Sequence, residues 1–286
     1  MTDNVLPAAP DTLAVTPIAG AIGAEISGVD LSRDLSTDTV ATIRRALLDH
    51  LVIFFREQEF TPKQFMAFAR RFGEPVTYPF VKGLEDFPEI TPILKRAEDR
   101  INFGGLWHSD TVYQQAPPLG TILYGIEIPP YGGDTEFANQ YLAYETLSAP
   151  LRHFLDGLTA VHISGKGATQ KTRNEMMKQA SAGLKGDELT SRHPAVRTHP
   201  ATGRKALYVN TAHTSHFEGL TVEESEPILE FLYRHQVKPE FTCRFRWERG
   251  SVAFWDNRCT QHNPINDYHG FRRLMHRITL AGDKPI

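Results

Sequence analysis

The stretch Arg272 to Gly282, RRLMHRITLAG, reads as the last clear strand of the chain. In an extended segment alternate residues share a face. Arg273, Met275, Arg277 and Thr279 therefore lie on one side, and Leu274, His276, Ile278 and Leu280 on the other. The second face is apolar apart from His276 and suits packing against other elements. The first carries two guanidiniums four residues apart. If that face lines the inside of a barrel, buried anions must neutralise it, because an unpaired buried charge is very costly. If the strand is one-sided, both arginines face water.

Upstream of it, FTCRFRW (241–247) alternates strictly, Glu248 to Gly250 turns the chain, and SVAFWDN (251–257) returns. Further strands are expected at LVIFF (51–55), TILYGIEI (121–128) and ALYVN (206–210). Pro129-Pro130 with Gly132-Gly133 close the second of these. Ser36 can cap a helix with Val40, Ile43 and Leu47 on one face. Thr61-Pro62 is a helix start, followed by the stripe Phe65, Phe68, Phe72. One helix is expected over 139–156. Thr221 with Glu224 forms a capping box for another running to about His235, with Pro227 tolerated in its first turns. The pattern predicts a mainly β protein with flanking helices, an antiparallel sandwich or barrel core, in one domain over 1–286. Residues 1–12 are expected to be loose. The polar, irregular segment 164–189 is expected to be a lid or substrate loop.

Composition is that of an ordinary globular protein, 41% hydrophobic and 23% charged. A net charge of -3 and no long basic run argue against nucleic acid or an anionic membrane as the partner. Cys243 and Cys259 are too few for a disulfide framework and lack zinc-site spacing. No secretory signal and no bilayer-length apolar run are visible, so a cytoplasmic location is expected.

LWHSDTVY (106–113) places an imidazole and a carboxylate two residues apart, so His108 and Asp110 can converge on one point. Twelve histidines produce about one His-x-Asp/Glu by chance, and the chain holds a second, His216-x-Glu218. A third ligand is needed, and His262 in the polar segment WDNRCTQHNPIND (255–267) is a candidate. Two histidines and one carboxylate suit Fe(II) with open positions for cosubstrate and oxygen. An arginine shortly after the second histidine would hold the far carboxylate of a 2-oxo acid.

At this point the chain resembles the taurine dioxygenase / 2,4-dichlorophenoxyacetate dioxygenase family of Fe(II)/2-oxoglutarate-dependent oxygenases. The resemblance runs from about Val15 to Pro285. It rests on GAEISGVDLS (23–32), WHSD (107–110), PPYGGDT (129–135), THPATGRKALYVN (198–210), WDNRCTQH (255–262) and RRLMHRITLAGDKP (272–285). It implies a double-stranded β-helix (jelly-roll) core. It implies His108, Asp110 and His262 as iron ligands, and Arg273 with Thr135 as partners of the distal carboxylate of 2-oxoglutarate. It implies Arg277 at the position that meets a substrate sulfonate, and a reaction that consumes O2 and releases succinate and CO2. His216-x-Glu218 matches no ligand motif and is treated as a loop feature near the helix cap.

The family's namesake grips taurine through a histidine, a tyrosine and an asparagine; alignment puts Tyr78, Val81 and Gly104 at those positions. Taurine itself is therefore disfavoured. Tyr78, Val81, Tyr113 and His213 would shape a larger, more aromatic pocket for an alkyl or aryl anion, a carboxylate, sulfonate or sulfate ester, with Asn102 as a substitute polar handle. Each of these is also an ordinary residue for a barrel core. Family members are often dimers or tetramers, so a homodimer or homotetramer is an expectation. A metal-binding protein without oxygenase activity, or a zinc hydrolase, could use the same three ligands. Neither has a use for the Arg273 and Thr135 clamp.

Overall fold

The computed structural model describes residues 13–164, 166 and 189–286. Its elements run β1 (Ala14–Pro17), β2 (Ala24–Ser27), α1 (Thr37–His50), β3 (Val52–Phe55), α2 (Pro62–Arg70), β4 (Pro75–Val76), β5 (Thr91–Lys95) and β6 (Gly120–Glu127). Next come β7 (Thr135–Asn139), α3 (Gln140–Glu145), α4 (Ala149–Asp156), β8 (Thr159–Ile163), β9 (Thr190–Pro194), β10 (Val196–Thr198), β11 (Lys205–Leu207) and β12 (Thr214–Phe217). The helix α5 (Val222–His235) precedes β13 (Thr242–Phe245), β14 (Val252–Asp256), β15 (Thr260–Pro264) and β16 (Arg273–Leu280).

The major sheet has the order β1-β2-β3-β14-β6-β16-β4, with β5 also paired to β16. A minor sheet, β13-β7-β15, provides the second layer. Period-two alternation sorts each major strand between two cores. Ile53, Phe55, Val252, Phe254, Ile278 and Leu280 pack with Ile43 and Leu47 of α1 and Phe65 and Phe68 of α2. Val52, Phe54, Ala253, Trp255 and Met275 face the other way, onto Phe137, Cys243 and Phe245 of the minor sheet. Phe54 and Phe245 stack across the layers at 4.0 Å. The sandwich is closed by apolar burial worth roughly 1.5–3 kcal/mol per large side chain. Because Met275 points between the sheets, Arg273 and Arg277 do too, and both are buried. The choice between barrel interior and water is settled for the interior.

The helix starts follow their caps: Ser36 accepts from the Thr39 amide, and Thr61–Gln64 and Thr221–Glu224 form capping boxes. Pro227 is accommodated inside α5. The helix expected over 139–156 is instead two. Asn139 caps α3, which ends at Glu145, and α4 restarts with Pro150 in its first turn. Proline has no amide to continue α3 and its ring would clash with the preceding turn. Only the beginning of ALYVN is laddered, with β11 paired to β10. In FTCRFRW a 3₁₀ turn at Pro239–Phe241 delays the strand to Thr242. His216 lies in β12, paired through its backbone to Val161, so it is a strand residue rather than a loop one.

A third layer, β12-β8-β9 with α3, α4 and α5, carries its own core around Phe217, Leu229, Leu232 and Phe241. Segment 1–12 and the expected lid at 164–189, apart from residues 164, 166 and 189, lie outside the described residues. Among those described, no helix is long and apolar enough to cross a membrane.

Candidate functional site

The site is built where the segment after Gly104 crosses β15. His108 and His262 form an isolated antiparallel bridge: the His108 amide donates to the His262 carbonyl at 3.1 Å, and the His262 amide returns the bond at 2.8 Å. Directly opposed residues project to the same side, and the two imidazoles lie 4.2 Å apart between ring centres. Asp110, two residues on, brings Oδ1 to 3.8 Å from His108 Nε2. Donor atoms of His108, Asp110 and His262 all lie within 4.8 Å of one another.

The surroundings fix the state of each donor. His108 Nδ1 sits 2.6 Å from the Leu106 carbonyl. A carbonyl only accepts, so Nδ1 carries the proton and Nε2 keeps its lone pair. Burial pulls both imidazoles down, His262 to about 3, so both are neutral near pH 7. Burial would raise the Asp110 carboxyl, but His262, Arg277, His108 and the Thr121 hydroxyl outweigh it and hold it at about 2. The result is two neutral nitrogens and one anionic oxygen, a set matched to a divalent cation.

Asp110 Oδ2 is already engaged. Thr121 Oγ1 donates to it at 2.7 Å, and the Asn257 amide donates to Thr121 Oγ1 at 2.9 Å. Asn257 Oδ1 accepts from the Trp255 indole at 2.9 Å and from the Asp110 amide at 3.3 Å. Oδ1 is thereby left facing His108 and Arg277, whose Nη1 is 3.7 Å away.

Arg277 is buried, and among the described residues its Nε and Nη2 have no hydrogen-bond partner. Its guanidinium lies 4.4 Å from the Tyr78 ring centre and 5.7 Å from that of Phe103. Tyr78, Phe80, Val81 and Tyr113 form one buried cluster, with Phe103 and Leu189 packed against it. His213 approaches Tyr113 edge-on at 5.0 Å and His108 at 6.2 Å. The Asn102 amide donates to the Pro264 carbonyl at 2.8 Å, tying the segment before His108 to the strand of His262. Gly104, at φ +75°, lies so close that a Cβ there would sit 3.0 Å from His108 Cε1.

On the same face of β16, Arg273 Nη2 donates to the Gly133 carbonyl at 3.2 Å, and Nε has no partner among the described residues. Its guanidinium lies near the Trp247 and Tyr268 rings, at 5.7 and 5.8 Å. Thr135 Oγ1 accepts from the Trp247 indole at 2.9 Å, so its own hydroxyl proton is free to point elsewhere.

All eleven residues singled out from the sequence are thus buried around one interior. Thr121, Asn257, Trp247, Tyr268 and Phe103 were missed. Trp247 and Thr121 read as members of expected strands, and only Asn257 lies in one of the motifs that carry the family resemblance. His216 makes a hydrogen bond to Ser215, and Glu218 pairs with Arg192. Among the described residues one other donor group exists, His199, Asp256 and Cys259. His199 Nδ1 accepts from the Ala201 and Thr202 amides, and Nε2 donates to Asp256, which Arg258 also holds. With no imidazole lone pair to spare, that group is a structural tie.

A family model described as taurine catabolism dioxygenase TauD, TfdA family matches residues 14–279. An alpha-ketoglutarate-dependent sulfate ester dioxygenase of Pseudomonas putida is 37% identical over 295 residues, covering 100% of this chain and 96% of that protein. An alkylsulfatase of Acinetobacter baylyi is 37% identical over 279 residues, covering 95% of this chain and 86% of its own. The crystal structure of a taurine dioxygenase from Burkholderia xenovorans superposes with a TM-score of 0.82 at 43% identity, covering 96% of this chain and 91% of that one. The fold agrees as well as the sequence, and the chain belongs to the taurine catabolism dioxygenase TauD, TfdA family.

Proposed function

We propose that this protein is an Fe(II)- and 2-oxoglutarate-dependent dioxygenase that hydroxylates a small organic anion, foremost a sulfate ester with an alkyl or aryl body. A sulfonate or a carboxylate of similar shape fits the same reading. The observation that carries it is Arg277: a buried guanidinium with two nitrogens unpartnered among the described residues, walled by aromatic rings and 3.7 Å from a carboxylate of the candidate metal set. A planar fork of donors in an apolar enclosure favours an oxyanion. The names of the sulfate ester dioxygenase and alkylsulfatase relatives favour the ester.

His108, Asp110 and His262 would hold the iron, and their neutral and anionic states near pH 7 suit that role. When bound, Fe(II) supplies the activation of O2 coupled to oxidative decarboxylation of 2-oxoglutarate to succinate and CO2. Arg273 and the Thr135 hydroxyl orient the cosubstrate by its far carboxylate. Arg277 anchors the substrate head, while Tyr78, Val81, Tyr113 and Phe103 enclose its body and exclude water. His213 extends that wall towards His108, and Asn102 secures the loop beneath it. One oxygen atom enters the substrate C–H bond and the other enters succinate. Hydroxylation of the carbon bearing the ester oxygen yields a hemiacetal sulfate. Its collapse breaks the C–O bond and releases an aldehyde and hydrogen sulfate. Taurine fits poorly, because Gly104 leaves no side chain where the namesake has an asparagine.

The test is anaerobic titration of the Fe(II)-loaded protein with 2-oxoglutarate, read by the weak visible metal-to-ligand charge-transfer band, followed by a panel of organic anions. A band that appears, is perturbed by a sulfate ester, and is followed on aeration by equal amounts of succinate and aldehyde supports the reading. A loaded protein that forms no band with 2-oxoglutarate refutes it and reopens the zinc hydrolase alternative.

A further inference from the structure

Lys95 ends β5 and is only 4% exposed, yet its ammonium has no hydrogen-bond partner among the described residues. A lysine stem normally carries its charge out to water; here it does not. The register shows where it goes. β5 runs antiparallel to β16 with Thr91 opposite Arg277, Ile93 opposite Met275 and Lys95 opposite Arg273. Opposed residues of such a pair project to the same side, and that side is the interior between the sheets, where Met275 lies.

Lys95 and Arg273 also share an aromatic partner. The ammonium lies 4.5 Å from the Tyr268 ring centre and the guanidinium 5.8 Å. Nearby carboxylates are committed elsewhere: Asp134 accepts from Arg244 at 2.7 Å, and Asp267 holds the Gly133 amide at 2.7 Å. Two buried cations thus stand opposite each other, and among the described residues no carboxylate is bound to either. Like charges so placed repel, and each is costly to bury alone. An anion that reaches both removes the two penalties together.

We propose that Lys95 is a second cationic member of the cosubstrate clamp, meeting the distal carboxylate of 2-oxoglutarate beside Arg273. This rests on the reading of Arg273 given above. With two cations at that end, the site discriminates strongly for a dicarboxylic 2-oxo acid over a monocarboxylic one.

The experiment compares anaerobic dissociation constants of the Fe(II)-loaded protein for 2-oxoglutarate and for 2-oxopentanoate, which keeps the 2-oxo acid head and lacks the distal carboxylate. Lys95→Met should weaken 2-oxoglutarate about tenfold, the loss of one charge-assisted contact. Binding of 2-oxopentanoate should stay within about twofold, which also shows that the variant is folded. Lys95→Arg should recover most of the preference, and Lys95→Gln should reproduce the loss. An unchanged ratio of the two affinities in Lys95→Met overturns the proposal, and so does an equal loss for both acids. If Arg273→Met abolishes the preference while Lys95→Met does not, Lys95 alone falls and the clamp stands. If the wild type does not distinguish the two acids, the clamp itself is wrong and Lys95 falls with it.

Discussion

Thr121 Oγ1 donates to Asp110 Oδ2 at 2.7 Å, so one carboxylate oxygen is spoken for before any cation arrives. The bond is not solitary. Asn257 donates to the same hydroxyl, which directs its proton at Asp110, and Asn257 is itself aimed by the Trp255 indole. The chain of donors leaves Oδ1 as the oxygen presented to the histidines. Outer hydrogen bonds of this kind are worth roughly 10–100-fold in metal affinity.

Thr121→Val, which keeps the shape and removes the hydroxyl, should therefore weaken Fe(II) binding about tenfold. Thr121→Ser should stay near the wild type. Anaerobic metal titration of the three proteins measures this directly. Equal affinities would mean that Asp110 is oriented by the backbone alone. Asp110→Ala, by contrast, should abolish turnover.

The Trp247 indole occupies an acceptor site on Thr135 Oγ1, which leaves the hydroxyl proton for the cosubstrate. Trp247→Phe keeps most of the packing against Phe245 and Arg273 and lets that proton turn. The dissociation constant for 2-oxoglutarate should rise by about threefold to tenfold, in line with the loss of one oriented hydrogen bond. The iron affinity should not move. A variant that loses iron and cosubstrate in parallel would point to a collapse of the minor sheet instead.

Arg277→Leu separates the substrate from the cosubstrate. The charge-transfer band with 2-oxoglutarate should form normally, while a sulfate ester should no longer perturb it. The catalytic efficiency kcat/KM for that ester should fall by at least about 100-fold, because a charged head would enter an apolar enclosure unpaired. Retention of ester binding would move the anion site away from β16.

How legible these parts were depends on the range of the interaction. Helix caps at Ser36, Thr61 and Thr221 are local, and each was readable from three or four neighbouring residues. The split between α3 and α4 was readable too, in Pro150, but apolar periodicity across 139–156 masked it. His108 and Asp110 form a motif of neighbours, whereas His262 joins them only through a backbone bridge across 154 residues, which no spacing rule anticipates. The family resemblance supplied that pairing. Thr121, Trp247 and Lys95 had no signal of their own. Thr121 begins an apolar strand, Trp247 ends one, and Lys95 becomes unusual only once the register sets it opposite Arg273.

The last consequence concerns acid. His162 is fully buried in β8, its ring 5.6 Å from that of His193, with Nδ1 on Thr214 Oγ1 at 3.2 Å. Burial, then His193 and Lys166, push it down to about 3 from the usual 6.5. Its folded pKa lies below its unfolded one, so the unfolded chain binds the extra proton between those values. The stability due to a neutral His162 is complete above about pH 6.5 and is lost as pH falls towards 3, at about 1.4 kcal/mol per pH unit within that window. His162→Asn keeps an acceptor or donor for Thr214 and cannot titrate. The metal-free variant should be less stable than the wild type at pH 7, because a packed ring is lost. Between pH 6 and pH 4, however, its unfolding free energy should fall less steeply, by close to one proton's worth. Urea unfolding at three pH values in that range measures the slope. Parallel lines for the two proteins would mean that His162 takes up its proton without unfolding, through an opening of the layer formed by β8, β9 and β12.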